Sequence, residues 1–89
     1  MEIQLISGTF TIAEAEQLLT AIFKTKIAFH EQRMGTVNET EEDIKHSEKK
    51  ILQLEKTLRT TIEKLNENGQ THTSLNAHIT VSTKPKMHQ

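Results

Sequence analysis

Lys26, His30 and Arg33 are spaced four and three residues apart, so on a helix they share one face. In "KTKIAFHEQRMG" that face also carries the apolar residues. Basic groups turned towards an apolar stripe suggest either ion pairs to a neighbouring helix or a polar ligand site inside a bundle. The five histidines make metal binding the next chemistry to weigh. Asp43 and His46 have the acid-x-x-His spacing that builds carboxylate-bridged dimetal sites on facing helices. Glu42 and His46 also lie one turn apart.

The phase of the pattern speaks against a metal. His46 falls about 200° from Ile44, on the outer side of its helix, whereas His30 is on the inner side of the preceding one. His72, His78 and His88 belong to a loop, a strand and a tail. No three converge, and zinc takes three or four protein ligands. Nucleophilic catalysis lacks its parts too: there is no cysteine, and the serines fall in turns, on an outer strand face or in a helix seam. Gly8, Gly35 and Gly69 are isolated and form no phosphate loop. The acidic run "ETEEDI" lacks the glycine and ligand spacing of a calcium loop. The expectation is a protein without enzymatic activity, metal or other cofactor.

Positioning any site in 89 residues requires a core, and this chain has little to build one. Hydrophobic residues are 34% of the total, without Trp or Tyr, and Phe10, Phe23 and Phe29 all lie in the first third. Eleven basic and twelve acidic residues give a net charge of −1, which offers no electrostatic case for nucleic acid. No apolar run approaches a membrane span, and the start "MEIQLISGTF" has no basic signal-peptide region. Absence of cysteine points to no oxidising compartment. A cytoplasmic protein with no membrane partner is the expectation.

Four elements emerge from the periodicity. Ile3 and Leu5 alternate with Glu2 and Gln4, which predicts a strand over residues 2–6, broken by Gly8 in "SGT". Thr11 and Glu14 form a capping box that opens a helix over residues 11–34, with Gly35 as its stop. A polar connection leads into a second helix over residues 38–67. Its cap is ambiguous among Thr36, Asn38 and Thr40, each with an acid three residues later. Ile44, Ile51, Leu54, Leu58 and Leu65 follow a heptad, with Ser47 and Thr61 as its polar members, and Asn68 and Gly69 end the helix. "QTHTS" reads as loop, and Leu75, Ala77, Ile79 and Val81 alternate along a second strand over residues 75–82. Residues 84–89 read as a mobile tail, so the domain spans residues 1–83.

The fold class is therefore mainly α: an antiparallel helical hairpin flanked by short N- and C-terminal strands, in the order β-α-α-β. In the first helix, Ile12, Ala15, Leu18, Leu19, Ile22, Phe23, Ile27, Phe29, His30 and Met34 cover an arc of roughly 180°. That is wider than contact with one neighbour requires. Leu18, Ile22, Phe23, Ile27 and Phe29 are the candidate self-association surface, and a homodimer would form a four-helix bundle with a small sheet. If the helices reverse near Val37, Lys26 falls opposite Glu48 and Arg33 opposite Glu41, so the basic stripe reads as cross-hairpin ion pairs. His30 falls opposite Ile44 with no assigned partner and reads as a packed, hydrogen-bonded core-edge histidine. The functional expectation is a small non-catalytic self-associating interaction or scaffold protein, with an unidentified protein partner as a further binding candidate. The alternative is a nucleic-acid-associated accessory factor using Lys45, Lys49, Lys56, Arg59, Lys84 and Lys86, whose interleaving with acids weighs against it.

Overall fold

The computed structural model describes residues 1–34 and 40–84. The element order is β1 (Glu2–Thr11), α1 (Ile12–Met34), α2 (Glu41–Leu65), a 3-10 turn (Glu67–Gly69) and β2 (His72–Thr80). This is the β-α-α-β layout expected from the sequence. The helical stop at Gly35, the reversal at Val37, the alternative caps Thr36 and Asn38, and residues 85–89 of the tail lie outside the described residues.

Capping fixes both helix starts. The Thr11 N–H donates to Glu14 Oε1 at 2.9 Å, and the Glu14 N–H donates to Thr11 Oγ1 at 3.1 Å. Thr40 and Asp43 repeat the arrangement at α2: the Asp43 N–H donates to Thr40 Oγ1 at 3.2 Å, and the Thr40 N–H donates to Asp43 Oδ2 at 3.3 Å. Thr40 is thus the cap of α2, which begins at Glu41. The last turn closes at Asn66, whose N–H donates to Ile62 O and Glu63 O. Asn68 and Gly69 follow at φ 62° and 63°. This left-handed region suits Asn and Gly, so the two residues turn the chain just beyond α2.

The strands are longer at their inner ends than the alternation predicts. β1 runs through Gly8 to Thr11, and β2 starts at His72 within the supposed loop "QTHTS". Gly8 is not a break. It sits inside the ladder opposite Leu75, at φ 153°. The antiparallel pairing shifts register between Gln4 and Ile6, so Leu5 is an extra, bulged residue. The bulge sorts the ribbon by polarity, because pairing partners share a face. Ile3 pairs with Ile79, Ile6 with Ala77, Gly8 with Leu75 and Phe10 with Thr73 on one face. Glu2, Gln4, Ser7, Thr9 and Thr11 pair with Thr80, His78, Asn76, Ser74 and His72 on the other. Without the extra residue, Ile3 would lie on the polar face.

The molecule measures 51 × 30 × 15 Å, so its thin dimension is hardly more than one helix diameter. Helix, helix and ribbon form a single layer. Ala15 is fully buried and Leu65 is 8% exposed, but no large side chain is fully buried among the described residues. Of the seam's polar members, Ser47 is 6% exposed and Thr61 half-buried, which agrees with the heptad.

Candidate functional surface

α1 and α2 meet along a seam with two unlike sides. On one side Ile27, Leu58 and Ile62 floor a groove of about 560 Å³, rimmed by Lys24, Arg59, Glu55 and Glu63. Lys24 and Ile27 come from adjacent turns of α1; Glu55, Leu58, Arg59 and Ile62 come from adjacent turns of α2, at spacings of three and four. On the other side Lys26, His30, Lys50, Gln53, Leu54 and Thr57 line a smaller cavity of about 210 Å³. Lys24 and Lys26 are about 160° apart around α1, which places the cavities on opposite sides of the seam.

The register across the hairpin differs from a reversal at Val37. Asn66 Nδ2 donates to Glu16 Oε1 and, at 2.8 Å, to Ile62 O, tying the end of α2 to the start of α1. Lys24 shares its groove with Glu55 and Arg59, and Lys26 its cavity with Gln53 and Thr57. Lys24 and Lys26 thus meet partners further along α2 than a reversal at Val37 would place them. Lys26 faces Lys50 across its cavity, and Glu48 is not part of that lining. Arg33 lies over the Phe29 ring at 5.8 Å from the centroid, and its charge reaches Asp43. Glu41 opens α2 as an exposed residue.

His30 is half-buried, as a core-edge histidine should be. Its ring meets Phe29 edge-on, with centroids 6.0 Å apart. Contrary to the expected hydrogen-bonded ring, Nε2 is buried and has no hydrogen-bond partner among the described residues.

Asp43 is engaged in its cap: the Thr40 hydroxyl and N–H hold its carboxyl below the usual value, assisted by the charges of Arg33 and His46. The Thr11 backbone N–H and hydroxyl lower Glu14 in the same way. His46 is exposed and lines a further cavity with Lys49, Lys50 and Gln53. Among the described residues no group of three His, Cys, Asp or Glu side chains is placed to hold a metal ion. Among the described residues no helix is long and apolar enough to cross a membrane.

The five residues singled out for self-association divide between two places. Phe23 and Ile27 are half-buried at the seam, Ile27 flooring the groove. Ile22 and Phe29, 37% and 54% exposed, lie with Leu18 about 140° or more around α1 from Ile27. The sequence reading missed Leu58 and Ile62 as surface formers, because a heptad reads as interior. It also missed the bare end of the ribbon, where Met1, Ile3, Leu5, Ile79 and Val81 are exposed while Ile6, Phe10, Leu75 and Ala77 are half-buried. No family model, curated protein or solved structure matches this chain.

Proposed function

We propose that this chain is a non-catalytic, self-associating interaction protein whose folded unit is a homodimer. Two hairpins close face to face into a four-helix bundle, and the ribbons form a small accompanying sheet. The single-layer architecture carries this reading. Domains bury their apolar faces between at least two layers, and one copy supplies only one. A folded monomer of this mass exposes about 5,300 Å², whereas this chain exposes 7464 Å². The excess, about 2,100 Å² per chain, is of the size removed in obligate dimers. The radius of gyration, 16.7 Å, likewise exceeds the roughly 12 Å of a compact domain of this length.

The groove floored by Ile27, Leu58 and Ile62 is the docking surface. Its rim carries two cations, Lys24 and Arg59, and two anions, Glu55 and Glu63. An isologous contact sets the same patch against itself, so a self-complementary rim favours a second copy over a partner of one charge sign. Light scattering over a concentration series tests the assignment. A mass twice the 10.2 kDa of the chain is expected. A 10.2 kDa species at every concentration refutes the dimer.

A further inference from the structure

We propose that the other side of the hairpin binds a small phosphate-class oxyanion between the helices. Lys26 and His30 lie one turn apart on α1, and Lys50, Gln53 and Thr57 follow at spacings of three and four on α2. The cavity they line with Leu54, about 210 Å³, has room for roughly seven waters. One oxyanion with part of its hydration fits there. Lysine, glutamine and threonine side chains all donate hydrogens. No carboxylate joins them in the lining. In a chain with 12 acids and 11 bases, that segregation is local and specific.

The two lysines are also unspent: neither Lys26 nor Lys50 makes an ion pair among the described residues. Two ammonium groups facing one cavity repel, and an anion between them turns the repulsion into attraction. The lysines supply charge, while the Gln53 amide and Thr57 hydroxyl supply directed hydrogen bonds. The neighbouring cavity of His46, Lys49, Lys50 and Gln53 shares Lys50 and Gln53 with the first. The basic strip therefore continues along α2, and a second phosphoryl group on the same ligand reaches it. Pyrophosphate is accordingly the better probe and sulfate the minimal one. The site lies across the seam from the apolar groove and stands independently of the dimer.

NMR titrations with sulfate, phosphate and pyrophosphate test it, at an ionic strength held constant with sodium chloride. Saturating shifts centred on Lys26, His30, Lys50, Gln53 and Thr57 are expected, with pyrophosphate about tenfold tighter than sulfate. The double variant Lys26→Gln/Lys50→Gln should weaken pyrophosphate by about tenfold or more while helicity and solution mass stay unchanged. Shifts that match those from chloride, or pyrophosphate affinity unmoved in the double variant, would each overturn the site. So would a short single-stranded oligonucleotide that binds where pyrophosphate at equal phosphate concentration does not, since the phosphate would then belong to a polymer.

Discussion

Diluting the protein a hundredfold should lower its melting temperature, by an amount that follows from the size of the folded unit. If two chains melt together, each tenfold dilution removes about 1.4–1.5 kcal/mol from the free energy of the dimer. Two chains of 89 residues carry an unfolding entropy of about 0.37 kcal/mol/K. The quotient is about 4 °C per decade, or about 8 °C between 500 and 5 µM. A monomer shows no shift. The structure makes the effect a test of folding and not only of association. With Ala15 and Leu65 as its buried apolar residues, a single layer has little core of its own, so separated chains should lose helix as they separate. Circular dichroism at 222 nm recorded at three concentrations, beside sedimentation equilibrium, gives both quantities. A concentration-independent melt from a 10.2 kDa species would refute the reasoning and leave the bare groove without its occupant.

Other outcomes follow from individual residues. Thr40→Ala removes the hydroxyl that accepts from Asp43, and should cost about 1 kcal/mol, or about 5 °C in a thermal melt. Gly69→Ala places a side chain at φ 63° with no atom within 4 Å to meet it; the cost, about 1–2 kcal/mol by denaturant unfolding, is therefore backbone strain alone. The carboxyls of Glu14 and Asp43 are held below their ordinary values of 4.5 and 3.8, so their contribution is present above those values. It is lost as pH falls through the lower folded values, and helicity followed by acid titration should decline there, less steeply in Thr11→Ala and Thr40→Ala. Lys24→Glu/Arg59→Glu surrounds the groove with four acids and should favour the monomer in sedimentation, whereas adding Glu55→Lys and Glu63→Lys restores opposite charges and should restore the dimer.

The local features of this fold were legible because their causes are local. Thr11 and Glu14 satisfy each other's backbone amides within one turn, and the heptad through Ile44, Ile51, Leu58 and Leu65 needs no knowledge of what it faces. What depends on a partner strand was not legible. Gly8 reads as a break because glycine ends strands more often than it joins them. Only the pairing with Leu75 shows it inside the ladder. The bulge at Leu5 is equally silent in β1 alone, where Ile3 and Leu5 suggest one face and Ile6 and Phe10 the other. The clean alternation of Thr73, Leu75, Ala77 and Ile79 on β2 forces the two sets together.

The surroundings of the basic stripe were illegible for a related reason. A helix face is fixed by sequence, but the height at which its neighbour lies is not. Moving the alignment by about two turns replaces Glu48 opposite Lys26 with a lining that contains Lys50. The change is larger than one ion pair, because it gives the two sides of the seam opposite characters. One side pools Ile27, Leu58 and Ile62 within a balanced rim, a surface that another copy of itself complements. The other pools cations with a buried, unpartnered imidazole nitrogen, a surface that a second copy would repel. In the proposed dimer, that asymmetry would put the groove side at the bundle interface. The polar side would then stay open to solvent, within reach of a small anion.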